Sequence, residues 1–196
     1  LGPMSIPQKI MNAFFQSVTP RTAGFNVIFI GRMTTYSLFF TIMLMFVGGA
    51  SGSTAGGVKV NTFGVLLATV WSSLRGREHA EAFGRELRSQ QVHRALAVAM
   101  LALSLVAMVV LTLTITESQS SEPKEFIDLL FETVSAFGTV GLSTGVTPLL
   151  TIAGKFIIIV TMFAGRLGPL TLALSLVQSQ QATTEYRYPQ DQVRIG

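Results

Sequence analysis

The stretch Ser135-Ala136-Phe137-Gly138-Thr139-Val140-Gly141-Leu142-Ser143-Thr144-Gly145 holds no acid, base or thiol, yet it suits one kind of chemistry. Backbone carbonyls strung along an extended turn can replace the water shell of a dehydrated monovalent cation. Glycine is needed there because carbonyls that all point one way demand φ values that side chains resist. Thr22-Ala23-Gly24-Phe25-Asn26 is a looser copy of Thr139-Val140-Gly141-Leu142-Ser143. The expected ligands of an alkali cation are the carbonyls of Thr22, Ala23, Gly24, Thr139, Val140 and Gly141.

The copy belongs to a longer internal repeat, the first thing to seek in any chain. Phe15-Gln16-Ser17-Val18 matches Phe131-Glu132-Thr133-Val134 at an offset of 116 residues. After one inserted residue, Thr22-Ala23-Gly24 matches Thr139-Val140-Gly141 at 117, and the same offset carries Met45-Phe46-Val47-Gly48 onto Met162-Phe163-Ala164-Gly165. The repeated unit is a short amphipathic helix, a Gly turn, and an apolar span broken by Gly near its middle.

The elements that must hold these turns are apolar. Of 196 residues, 49% are hydrophobic and 12% charged, against roughly 25% charged in an average soluble domain; the mean hydropathy is +0.53. Uncharged runs cover 33–58, 60–74, 95–116 and 167–184. The run 95–116 is long enough to cross a hydrocarbon core of about 30 Å as a helix. Residues 126–137, at roughly 1.5 Å per residue, reach only about halfway. That short helix must dip in, the turn must climb back out, and the next apolar span must cross the whole layer. Non-helical backbone at that depth is costly unless it lines a water-filled path or is buried in protein. The chain therefore reads as an all-α polytopic membrane protein in which re-entrant pore loops lie between spans. The carboxyl end of each pore helix points its partly negative pole at the cavity, which favours a cation over an anion. Two merely helix-breaking loops are the structural alternative.

Charge sets the topology. Residues 75–94 carry five Arg, whereas 117–128 carry four acids and one Lys. The Arg-rich segment belongs on the cytoplasmic side; a solvated amphipathic helix there is compatible with that. The helix 95–116 then runs outward, 117–125 lies outside, and the tail with Arg187 and Arg194 returns to the cytoplasm. The basic residues cluster in this loop, and the net charge of +4 gives no sign of a nucleic-acid partner. With no Cys, disulfides and thiol metal sites are excluded.

Two features lie in the spans. Residues 46–60 contain five Gly and three Ser/Thr, with no large side chain from Gly48 to Gly57. Each Gly costs about 1 kcal/mol against Ala in a helix, so Gly48, Gly49, Ala50, Ser51, Gly52, Ser53, Thr54, Ala55, Gly56 and Gly57 are expected to form a flexible intramembrane gate beneath the turns. Tight small-residue helix packing is the alternative. In the second unit Arg166 aligns with Gly49. An Arg within an apolar span is expensive and usually functional. It is expected to be a fixed charge facing the cation path that also holds the gate, or a structural Arg bonded to loop carbonyls. Pro169 should kink the helix just beyond.

Thr139-Val140-Gly141 matches the first three residues of the potassium-channel filter Thr-Val-Gly-Tyr-Gly, with one Gly per turn in place of two. Taken with "TPRTAGFN", "GGASGSTAGGVKV", "SAFGTVGLS" and "FAGRLGPLTLALSL", the chain resembles the Trk/Ktr/HKT superfamily of potassium transporters, most of all the C-terminal half of Ktr membrane subunits. The resemblance implies four M1–pore helix–M2 repeats around one pore and one filter Gly per repeat, here Gly24 and Gly141. It implies a homodimer in the plasma membrane, seated on a cytosolic nucleotide-binding ring of the KtrA/TrkA type. Residues 1–74 would be the third repeat without its M1, 75–94 a cytoplasmic linker, 95–184 the fourth repeat, and 185–196 a cytoplasmic tail. Two filter turns cannot surround an ion, so the N-terminal half is expected on a longer chain of which this is a part, with supply by another chain as the alternative. Potassium is the implied cargo, with passive and sodium-coupled transport both open and no covalent cofactor.

Two other classes were weighed. An ordinary potassium-channel subunit fits less well, because the two units diverge too far for strict fourfold symmetry. Gly49-Ala50-Ser51-Gly52 fits the pattern of an intramembrane serine protease, but that chemistry needs a His at membrane depth. The only histidines, His79 and His93, lie in the Arg-rich segment, and no enzyme activity is expected. The glycine-rich 48–57 also lacks the Gly-Lys-Ser/Thr and preceding strand of a phosphate-binding loop.

Overall fold

The computed structural model describes residues 4–77, 79–118, 120 and 124–168. Its elements are α1 (Ile6–Val18), α2 (Thr35–Phe46), α3 (Val60–Leu74), β1 (Glu81–Ala82), β2 (Arg85–Glu86), α4 (Ser89–Glu117), α5 (Phe126–Gly138) and α6 (Ile152–Leu167). Short 3-10 turns occupy Ile30–Arg32 and Thr147–Leu149.

The repeat seen in the sequence is a repeat of structure. The two 3-10 turns begin 117 residues apart, and so do α2 and α6. The same kind of cap opens both of those helices: Thr34 Oγ1 accepts from the Ser37 amide at 3.4 Å, and Thr151 Oγ1 accepts from the Gly154 amide at 3.1 Å. A Thr at the N-cap satisfies one of the amides that a helix start leaves without a partner. Each unit is therefore a short helix, an irregular climb, a 3-10 turn and a Thr-capped helix.

Helix α5 is the centre of the packing. Helices α2, α4 and α6 all lie against it, and every residue from Phe131 to Gly138 is buried. Phe137 stacks on Phe46 of α2, with ring centroids 6.1 Å apart. Between helices surrounded by lipid there is no hydrophobic driving force, so close packing through small residues supplies the attraction. Gly165 is where α6 comes closest: a Cβ built there would stand 1.9 Å from the Phe137 carbonyl oxygen.

Among the described residues α4 is the one helix long and apolar enough to cross a membrane; α2 and α3 are shorter apolar helices. Helix α4 starts at Ser89, so its first residues come from the Arg-rich stretch. At its other end Glu117 and Lys124 form a buried ion pair, with Nζ and Oε2 2.5 Å apart. Glu117 also accepts from the amide of Thr151 at 3.0 Å and from its hydroxyl at 2.6 Å, which ties the end of α4 to the start of α6.

One alternative needs correction. The Arg-rich segment holds a β-hairpin rather than an amphipathic helix, so the fold is helical with one minimal sheet: Glu81 pairs with Glu86 and Ala82 with Arg85. Its two-residue loop, Phe83 at φ 52° and Gly84 at φ 73°, has the left-handed geometry of hairpin turns. Arg166 stands in the last turn of α6, which ends at Leu167 with Gly168 at φ 83°. The expected kink at Pro169, the rest of the 167–184 run and the tail 185–196 lie outside the described residues.

The Gly165 contact yields a test. Gly165→Ala forces a methyl onto a backbone oxygen that cannot move away. It should destabilise by about 1–3 kcal/mol, read as a lower thermal unfolding midpoint in detergent.

Candidate cation site and gate loop

The two turns share one unusual backbone. Thr22 and Thr139 adopt φ 63° and 53°, and Gly24 and Gly141 adopt φ 74° and 87°. Left-handed φ is ordinary for Gly but an outlier for a β-branched residue, and such strain persists only where surroundings over-determine it. The same residue types carry it at the same places in both repeats. In each turn two left-handed residues flank Ala23 or Val140, and backbone carbonyls on such a turn are the ligand type that cation coordination uses.

The turns also meet. A Cβ on Gly24 would stand 2.4 Å from the Val140 carbonyl oxygen, and one on Gly141 would stand 3.9 Å from the Gly24 Cα. Two peptide strands from opposite ends of the chain thus approach through their glycines.

Each turn is tied from behind in the same way. The Thr19 hydroxyl donates to the Phe25 carbonyl, and the Ser135 hydroxyl donates to the Leu142 carbonyl at 2.6 Å. The Ala23 amide donates to Thr19 O at 3.1 Å, and the Val140 amide donates to Ser135 O at 2.9 Å. The carbonyls of Phe25 and Leu142 are therefore engaged by the pore helices, leaving the Thr-x-Gly carbonyls as the candidate ligands. Around the same strands, Asn26 is exposed and Ser143 half-buried. Thr19 and Ser135 were not singled out in the sequence, though a hydroxyl residue four positions after Phe15 and Phe131 was a visible signal.

Residues 47–58 form a compact loop with closed ends, an Ω-loop in shape. Val47 and Val58 make a parallel bridge: the Gly48 amide donates to Val58 O at 2.7 Å and the Val58 amide to Phe46 O at 3.3 Å. Gly48 and residues 55–58 are buried, while Ala50–Thr54 form an exposed tip.

This loop touches the candidate cation site directly. The Gly56 amide donates to Thr139 Oγ1 at 2.9 Å, and a Cβ on Gly56 would stand 2.7 Å from that oxygen. The loop is also held by two cations. Arg166 Nη1 donates to the Thr54 carbonyl across 112 residues of sequence. Lys59 Nζ donates to the Ala55 carbonyl and, at 3.4 Å, to the Ser53 carbonyl. Lys59 is another residue sequence reading passed over, although it is the one charge between 33 and 74. The protease alternative finds no support in this geometry: His93 bonds to Ser89 O of its own helix, and His79 faces Glu86 of the hairpin.

The comparisons with known proteins agree with this geometry. The family model described as TrkH, cation transport protein, matches residues 2–186. The chain belongs to this TrkH family. It is 45% identical over all 196 residues to the Ktr system potassium uptake protein B of Bacillus subtilis (strain 168), and 44% identical over 191 residues to the potassium/sodium uptake protein NtpJ of Enterococcus hirae. In both cases it spans about 42% of the relative's length. The structure of the potassium transporter TrkH from Vibrio parahaemolyticus superposes with a TM-score of 0.72 at 22% identity, over 88% of this chain and 38% of that one. This TrkH-family chain thus has the transporter fold of a membrane protein with pore-loop repeats.

The cationic tethers predict a gate behaviour. The chain has no native Cys, so Ala55→Cys introduces a single thiol at a position 8% exposed. Arg166→Gln or Lys59→Met in that background should speed thiol labelling several-fold, because each removes a tether from the loop's carbonyls.

Proposed function

We propose that this chain supplies two of the selectivity turns of a potassium-uptake protein of the plasma membrane. The observation that carries the reading is the pairing of two left-handed Thr-x-Gly turns, repeated 117 residues apart and meeting at Gly24 and Gly141. The carbonyls of Thr22, Ala23, Gly24, Thr139, Val140 and Gly141 replace part of the water shell of potassium, with other turns of the complete protein closing the ring. Residues 48–57 are the gate beneath them. Arg166 is a fixed charge at the inner end of the path and holds the gate through Thr54.

In this reading 1–74 is a third pore-loop repeat, 75–94 a cytoplasmic linker, 95–184 a fourth repeat and 185–196 a cytoplasmic tail. The longer relatives support an N-terminal half that carries the remaining repeats. The name "Ktr system" of the Bacillus relative supports a multi-component assembly. We assign to it a homodimer of membrane subunits on a cytosolic nucleotide-binding ring. Sodium is kept as a second transported or coupling ion, because the Enterococcus relative is named a potassium/sodium uptake protein. The protein is a transporter and carries out no bond chemistry.

Two experiments on the full open reading frame, expressed in a potassium-uptake-deficient bacterium, test this. Gly141→Ser adds a Cβ at φ 87° and should abolish the preference for potassium over sodium; an unchanged ratio removes the filter assignment. Deleting residues 49–54 should raise potassium flux. A lower or constant flux means that the loop is not the barrier.

A further inference from the structure

The two turns differ in what stands behind them. In the second repeat Glu132 is 5% exposed and lies one helical turn before Ser135 on α5. Its Oε1 accepts from the Ser143 hydroxyl at 2.5 Å and from the Thr144 amide at 3.1 Å. Its Oε2 accepts from the Thr147 hydroxyl at 2.6 Å. The Ser143 hydroxyl in turn accepts from the Gly145 amide at 2.9 Å. One side chain therefore fixes the whole outer limb of the turn, from the residue after Leu142 to the 3-10 turn. Leu142 itself is held by Ser135, so the strand that follows Gly141 has no slack.

The first repeat has Gln16 where the second has Glu132. Its amide nitrogen and oxygen are both buried, and neither has a partner among the described residues. The counterparts of Ser143, Thr144 and Thr147 are Asn26, Val27 and Ile30. Val27 is 65% exposed and Ile30 offers no hydroxyl. Among the described residues, the bonds that hold Ala23, Gly24 and Phe25 to the end of α1 all involve Thr19, and no side-chain hydrogen bond ties residues 26–30 to α1, although Ile30 is buried.

We propose that Glu132 is a positioning residue for ion selection: it sets the spacing of the Thr139–Gly141 carbonyls by clamping Ser143, Thr144 and Thr147 to α5. An ionisable side chain at membrane depth is expensive unless it serves such a role, and both carboxylate oxygens of Glu132 are engaged, although the Thr144 hydroxyl is buried without a partner among the described residues. The second turn carries the size discrimination, while the first adapts to the ion. Carbonyls held at a fixed spacing favour one ionic radius; carbonyls free to follow the ion do not. The proposal rests on the filter reading of Gly24 and Gly141.

The test uses the full open reading frame, with uptake normalised to folded protein measured by size exclusion. Glu132→Ala should lower the potassium-to-sodium and potassium-to-rubidium ratios, the former by about tenfold, or ~1.4 kcal/mol of discrimination. Glu132→Gln should recover most of the loss, because an amide oxygen still accepts from Thr144 while its NH₂ donates to the Thr147 hydroxyl. A variant that merely loosened the fold would lose uptake of all three ions together. Thr147→Val carries the test should Glu132→Ala not accumulate. It removes one of the three bonds and should shift the ratios in the same direction by a smaller factor. Unchanged ratios in Glu132→Ala, or in Thr147→Val where that variant stands in, overturn the proposal. Gly141→Ser, run beside them, separates the two readings. If it loses selectivity while the Glu132 and Thr147 variants keep it, only the clamp fails. If it keeps selectivity, the filter reading fails first.

Discussion

The molecule is organised by one constraint: peptide groups that leave helical geometry inside an apolar layer must each find a partner. In both turns some partners come from the pore helix itself, through the Thr19 and Ser135 hydroxyls and the Ala23 and Val140 amides. Among the described residues the carbonyls of the Thr-x-Gly strands have no hydrogen-bond partner, and under the proposed function a cation takes that place. The same accounting bears on Thr139, one of the two threonines with left-handed φ. Thr139 Oγ1 accepts from Gly56, so the surrounding contacts offset the strain of at most a few kcal/mol that such a backbone stores.

Glycine serves two distinct purposes here. At Gly24 and Gly141 it permits positive φ and lets the two strands approach. At Gly48, Gly138 and Gly165 it permits contact between backbones, with built Cβ atoms falling between 1.9 and 2.9 Å from facing carbonyl oxygens, and at Gly56 it admits the Thr139 side chain at 2.7 Å. This second group joins the 47–58 loop, α2, α5 and α6 into one close-packed unit. The 47–58 loop is held by few and polar contacts: a parallel bridge at its stem, the Gly56–Thr139 bond, and the Arg166 and Lys59 tethers. Its exposed tip buries no apolar side chain. Regions with little buried apolar area open at low free energy. A shift of α6 that withdrew Arg166 would release the tip, and the same movement would be felt at Thr139.

How much of this was legible in the residues follows from the kind of interaction involved. The repeat was readable because it depends on residue type at fixed spacing, and the recurrence of the 3-10 turns and Thr-capped helices at the same offset is the same information in backbone form. The glycine-rich break was readable because glycine is punished in helices wherever it sits. The hairpin was not: its turn is Phe-Gly, whereas the recognisable signals for left-handed loops are Asn-Gly and Asp-Gly. The end of α6 at Leu167 depends on Gly168 adopting φ 83°, which residue type permits but does not dictate. Glu132 was the largest omission. It was visible as the partner of Gln16 in the repeat, but its role depends on Ser143, Thr144 and Thr147 folding back over α5, a tertiary contact that periodicity does not encode.

The difference between α1 and α5 shows where the turn conformation comes from. Helix α5 is enclosed by α2, α4 and α6, whereas α1 leaves Ile6, Ile10, Met11, Phe14 and Val18 exposed and buries none of its residues. If enclosure dictated the turn, the two would differ. Instead Thr22 and Thr139 agree in φ within 10°, Gly24 and Gly141 within 13°, and both helices donate the same hydroxyl to the same carbonyl. The left-handed Thr-x-Gly backbone is therefore written locally, by the two residues that adopt it and the hydroxyl that ties it back. Enclosure adds something else, the covered setting in which a carboxyl group such as Glu132 can fix the outer limb. The repeats have kept the local device and diverged in what surrounds it, as expected if the former makes an ion site and the latter tunes it.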